Sequence, residues 1–157
     1  MAIPIIQYCV IKNAMKCFKY LLVNGYDNPT KAMEEQNPNP NKRNWESQHR
    51  YEWDCMATTI YFGQIEMMTL LEDRGIEKGK NPAHLEAAIL SYRNEICKDL
   101  IEELNENKEN VFSKGLLAAS KNNNIYGAEI LIKNGANINA KFINYQNMII
   151  LFLIKTI

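Results

Sequence analysis

The chain has 157 residues and is 46% apolar, which is enough for a continuous core and excludes a polypeptide disordered throughout. Eighteen basic residues balance eighteen acidic ones, so the molecule lacks the long-range positive field that non-specific nucleic-acid or acidic-membrane binding needs. The longest apolar run, Met148 to Ile154, falls short of the roughly 20 residues a membrane-spanning helix requires.

Met1 to Val10 shows no basic leader followed by a long apolar core and a small-residue cleavage site, so neither secretion nor organelle import is expected. A first unit over about 1–27 closes in Tyr20-Leu21-Leu22-Val23-Asn24-Gly25, an apolar helical stretch ended by glycine. An insertion follows at 28–50. It holds Pro29, Pro38 and Pro40 among Asn, Lys and Glu, which suits an exposed loop with one short helical turn around Lys31 to Gln36. A stretch of that length is either functional or disordered.

The same ending recurs further along. Units at 51–78 and 111–140 close in Leu70-Leu71-Glu72-Asp73-Arg74-Gly75 and Ile130-Leu131-Ile132-Lys133-Asn134-Gly135. Between them a unit at 81–107 closes in Lys98 to Asn105, where asparagine stands in for glycine as the next best residue for a left-handed helix terminus. About sixteen residues upstream of the later endings lies a run of small residues, Ala57-Thr58-Thr59, Ala87-Ala88 and Ala118-Ala119, which permits close helix approach. Taking Cys9, Thr59, Ala88 and Ala119 as equivalent gives offsets of 50, 29 and 31 residues. The last three units therefore share a period near thirty, and the first interval contains the insertion.

Within units, apolar residues recur at helical spacing, as in Ile65, Met68, Leu71 and in Ile96, Leu100, Ile101, Leu104, and a polar break divides each unit into two short helices. One such hairpin cannot bury both sides of its apolar face. Stacked copies do, at about 1.5 to 3 kcal/mol per large side chain. The expected fold is all-α: a solenoid of about four stacked helix-turn-helix units in one domain over 1–157. The apolar tail at 141–157 lacks the polar outer face of a solubilising cap. It is expected to fold back over the last hairpin, with weak self-association through an exposed tail as the alternative.

The stretch Leu117-Ala118-Ala119-Ser120-Lys121-Asn122-Asn123-Asn124, continuing through Ala128 to Ala140 with its Gly135-Ala136-Asn137-Ile138-Asn139-Ala140 exit, resembles an ankyrin repeat. Asn81-Pro82-Ala83-His84 is similar to the family's Thr-Pro-Leu-His opening, one residue early relative to Ala87-Ala88. Through Tyr51 to Thr58 and Ser91 to Ile96 the whole chain resembles the divergent ankyrin-like domains numerous in some protozoa. The resemblance implies a protein-binding scaffold with no enzymatic activity. It also implies that the opening makes a tight turn whose side-chain hydrogen bonds tie neighbouring repeats together. The family's binding surfaces, its loop fingers and inner helices, map to 25–27, 75–80, 105–110 and 136–141.

Few residues offer chemistry. His49 and His84 are far apart and neither stands at metal-ligand spacing from a cysteine. Cys9, Cys17, Cys55 and Cys97 form no CxxC pair and read as reduced cytosolic thiols. Cys55, beside Asp54 and six residues from His49, has no strand-turn-helix setting for a nucleophile. The carboxylates Glu34-Glu35 and Glu102-Glu103 are adjacent and point about 100° apart on a helix, as a solvated face does. The scattered glycines make no phosphate cradle.

One segment stands out. Lys42-Arg43-Asn44-Trp45 through His49-Arg50-Tyr51-Glu52-Trp53 interleaves basic residues with both tryptophans, and Trp45, Arg50 and Trp53 are the candidate partner contacts. The competing reading is that the tryptophans pack the insertion onto the helices. The sequence thus predicts a cytoplasmic scaffold that binds a protein partner through a concave helix face and loop tips, without cofactor, metal, nucleic acid or membrane. The alternative is a self-associating module assembled through the insertion or tail.

Overall fold

The computed structural model describes residues 4–25, 53–79, 81–104 and 108–139. Among them every regular element is an α-helix, so the described residues are all-α as expected. Two compact units divide the chain, 1–78 and 79–157.

In the first unit α1 (Ile5–Ile11) and α2 (Met15–Val23) form one hairpin, and α3 (Cys55–Phe62) and α4 (Ile65–Glu72) form a second. The inner helices α1 and α3 lie directly against each other. Ile6, Val10, Phe18, Met56, Ile60, Met67 and Leu71 are wholly enclosed. Asp54 starts α3 by accepting a hydrogen bond from the Ala57 N–H at 2.8 Å, which satisfies one of the unpaired donors of the first turn. Across the pair, Gln7 Nε2 donates to the Trp53 carbonyl at 2.8 Å.

The second unit repeats the plan. Here α5 (Pro82–Leu90) pairs with α6 (Asn94–Glu103), and α7 (Lys108–Lys121) pairs with α8 (Ile125–Lys133). Inner helix α5 packs on inner helix α7, and outer helix α6 on outer helix α8. Their core holds Leu85, Ile89, Leu100, Phe112, Leu116 and Leu131. Gly115 lets α5 and α7 approach: a Cβ there would lie 2.9 Å from Ile89 Cδ1 and 3.2 Å from Leu131 Cδ1.

All four inner helices end in the same turn. The N–H groups of Ala14, Gln64, Arg93 and Asn124 donate to the carbonyls of Cys9, Thr59, Ala88 and Ala119, five residues back in each case, at 2.8 to 2.9 Å. The residue between, Asn13, Gly63, Tyr92 or Asn123, takes a left-handed φ of 51° to 68°. This is the helix terminator in which a left-handed residue turns the chain back while two carbonyls of the last turn stay paired. The four residues equated from sequence thus occupy one structural position.

Outer-helix ends follow the glycines, with Gly25, Gly75 and Gly135 at φ 80°, 78° and 94°. The third hairpin departs from this. Counted from Ala88, the glycine's place falls on Leu104, which is buried and extended at φ −68°, ψ 117°. A bulky L residue avoids positive φ, so α6 leaves through an extended residue at the place where the other outer helices have glycine. Asn105 itself lies outside the described residues.

A second correction concerns the outer-helix stripe. Ile65 is 54% exposed, and α4 buries Met67, Met68 and Leu71 instead. Ile125, at the same first-turn place on α8, is 50% exposed. Spacing alone does not show that this position precedes the buried face. On α6 the core face likewise includes Cys97, which the spacing argument omitted.

Outer helices of neighbouring hairpins share one further contact. Lys19, ten residues after Cys9, makes an ion pair with Glu66, seven residues after Thr59, at 2.9 Å. Lys98, ten residues after Ala88, lies 5.6 Å from the centroid of the Tyr126 ring, seven residues after Ala119. An ammonium reaching from one hairpin finds a carboxylate in one unit and an aromatic face in the other.

Candidate binding surface

Of the three candidate contacts, Trp53 is described, and Trp45 and Arg50 lie outside the described residues. So do His49, the insertion at 28–50 and the tail from 140 onward. Trp53 sits just before the Asp54 cap and is half-buried. Its ring centroid lies 5.1 Å from that of Tyr61 at an interplanar angle of 58°, and Tyr61 meets Phe62 at 5.2 Å and 77°, nearly edge to face. Tyr61 and Phe62 remain 37% and 40% exposed. The main chain of Trp53 is held by Gln7 and its ring by Tyr61. Trp53 thus packs against the helices of the first unit, while the insertion it was expected to anchor lies outside the described residues.

Tyr61 and Phe62 were missed in the sequence because they fall in an apolar run that reads as core. The signal was their place: they immediately precede the Gly63 turn, at the end of the inner helix. Trp53, Tyr61 and Phe62 thus form one part-exposed chain of ring contacts at the start and end of the capped helix α3.

The segments that lead into α5 and out of α8 are fastened by side chains. Asn81 caps α5 by accepting from the Ala83 N–H at 2.9 Å, Pro82 opens the helix, and buried His84 Nδ1 accepts from the Gly79 N–H at 3.1 Å. His84 is therefore a turn-fixing residue rather than an exposed acid or base. After α8, the Asn137 N–H donates to Ser113 Oγ at 2.9 Å and Asn137 Nδ2 to Glu109 Oε1 at 3.1 Å, which pins the exit strand of the loop to α7. In the turn after α5, Tyr92 Oη donates to the Asn122 carbonyl, and Asn122 Nδ2 donates to the Leu90 carbonyl at 2.7 Å.

The thiols sit as packing groups or surface groups. Cys55 is buried at the start of α3, and the neighbouring Asp54 carboxylate holds a backbone N–H. Burial pushes the Cys97 thiol up to about 11, and burial with the nearby Cys17 pushes Cys9 upward. Cys17 is exposed. Among the described residues no three His, Cys, Asp or Glu side chains gather so as to hold a metal ion, and no helix is long and apolar enough to cross a membrane.

Comparison with family models, with curated proteins and with solved structures finds no significant match.

Proposed function

We propose that the chain is a cytoplasmic protein-binding scaffold of ankyrin-like helical hairpins, stacked flank to flank within each unit, that works by surface complementarity and not by turnover. Its hairpins turn in one way at Ala14, Gln64, Arg93 and Asn124, and each unit joins its two hairpins through a lysine of one outer helix and the facing outer helix. Such repetition presents inner helices and loop ends as a fixed surface. Free thiols at Cys9, Cys17 and Cys97 suit a reducing compartment.

The observation that carries this reading is the part-exposed Trp53–Tyr61–Phe62 cluster on a helix fixed by the Asp54 cap and the Gln7 bond. Large aromatic side chains that are already ordered lose little freedom on binding, so they contribute most where a partner covers them. Affinity capture from the native cell, comparing the full chain with Trp53→Ala/Tyr61→Ala, tests it. A discrete set of proteins enriched by the wild type and lost with the variant is expected. No specific enrichment by the wild type contradicts the reading.

A further inference from the structure

The residues four before, one before and three after Ala119 are Gly115 and Ala118 on α7 and Asn122 just past its end, at the spacing of one helical stripe. This stripe meets α5. A Cβ on Gly115 would lie 2.9 Å from Ile89 Cδ1, and Asn122 Nδ2 donates to the Leu90 carbonyl at the end of α5. Counted from Cys9, the same three places are Ile5 and Tyr8 on α1 and Lys12 at its C-cap. All three are exposed, Ile5 at 63% and Tyr8 at 51%, and Lys12 Nζ lies 5.6 Å from the Tyr8 ring centroid.

The outer helix shows the same pattern. Glu66 and Tyr126, each seven residues after the reference residue of its hairpin, receive the lysine of the neighbouring hairpin. That place on α2 is Lys16, which is exposed. From Pro4 to Gly25 the first hairpin carries Lys12, Lys16 and Lys19 and no Asp or Glu, and Lys19 is already paired with Glu66.

We propose that this face of α1 and α2 binds an acidic amphipathic helix of a partner protein, laid against α1 as α5 is laid against α7. The proposal rests on the partner-binding reading and deepens it by naming a face and a ligand chemistry. Ile5 and Tyr8 call for an apolar stripe on the incoming helix. Lys12 stands where Asn122 holds the Leu90 carbonyl at the end of α5, and an ammonium is favoured beside the free carbonyls of a helix C-terminus. Lys16 stands where the neighbouring hairpin delivers its lysine, so charge complementarity there requires a carboxylate. A basic helix would set like charges together at both lysines.

The test uses the full chain and two fluorescein-labelled stapled helical peptides. One has a Leu/Ala stripe flanked by Glu; the other replaces every Glu with Lys. Fluorescence anisotropy is expected to show saturable binding of the Glu peptide, about tenfold or more tighter than the Lys peptide. Tyr8→Glu should weaken it by about tenfold or more, and Lys16→Glu should shift the preference toward the Lys peptide. Both side chains are exposed, and circular dichroism with thermal melting checks that each variant keeps its fold.

Absence of saturable binding, equal affinity for the two peptides, or indifference to both substitutions would overturn the proposal. So would sedimentation showing a dimer that Tyr8→Glu dissolves, because the occupant would then be a second copy of the chain. Cellular partners that depend on Trp53 and Tyr61 but ignore Tyr8 and Lys16 would overturn this face while leaving the scaffold reading intact. Failure of the wild type to enrich any partner would strike the scaffold reading itself.

Discussion

Asn124 Nδ2 donates to the Ile89 carbonyl at 2.9 Å, a buried hydrogen bond between residues 35 apart that ties the turn between α7 and α8 to inner helix α5 of the adjacent hairpin. The same side chain accepts from the Gly127 N–H at 2.9 Å through its Oδ1, capping α8. Asn124→Ala would leave the buried Gly127 N–H without its side-chain acceptor and the Ile89 carbonyl with only the Tyr92 N–H at 3.3 Å. We expect a loss of about 1 to 3 kcal/mol in urea titration. Asn134→Ala removes an exposed bond to the Ile130 carbonyl and should cost no more than about 0.5 kcal/mol.

Leu100 and Leu131 are fully enclosed, one on each outer helix of the second unit. Replacing either with alanine removes apolar contact and opens a cavity, at a cost of about 2 to 5 kcal/mol. Glu102, exposed on α6, should tolerate alanine within about 0.5 kcal/mol. Equal urea midpoints for the leucine and glutamate variants would contradict the assignment of the core.

Gly135 takes φ +94°, and no heavy atom lies within 4 Å of where its Cβ would be. Any penalty for a side chain there is therefore conformational and not steric crowding by neighbours. Gly135→Val should destabilise by more than about 1 kcal/mol, because a β-branched L residue is strongly disfavoured at positive φ. Gly135→Asn should cost less than Gly135→Val, since asparagine tolerates the left-handed region. Matching stabilities of the two variants in denaturant titration would show that the backbone there is free to change.

These positions also show how far the sequence could be read. Cys9, Thr59, Ala88 and Ala119 were recognisable as equivalent because each precedes the turn at a fixed distance and a small residue is needed where inner helices approach. Gly25, Gly75 and Gly135 marked outer-helix ends because few residues take positive φ without cost. Leu104 was illegible, since nothing local says that a buried, extended leucine would stand where the other outer helices have glycine. The aromatic surface was half legible. Trp53 stood out by residue type, whereas Tyr61 and Phe62 resembled core until their place beside Gly63 was known. The lysine contacts of Lys19 and Lys98 became visible only when two hairpins were set in register, because each joins residues on different helices.

Burial raises the Cys97 thiol from its ordinary 9.0 to about 11. The unfolded chain releases this proton first as pH rises, so the folded state binds more protons between those values. The contribution of the neutral thiol is fully present below about pH 9 and is lost as pH climbs toward 11. Comparing urea stability of the wild type and Cys97→Ala from pH 8 to 11 should show a steeper decline for the wild type above about pH 9. Parallel curves would mean that the thiol titrates alike in both states.

Hydrogen exchange at the amides of Ala14, Gln64, Arg93 and Asn124, resolved by NMR, probes the shared hairpin turn most directly. Each N–H is bonded to a carbonyl five residues earlier, at the point where an unturned helix end would leave it to solvent. All four should exchange about a hundredfold or more slowly than the intrinsic rate, and Leu131→Ala should lower protection at Arg93 and Asn124 together. Unprotected amides at two or more of the four positions would contradict the repeated hairpin.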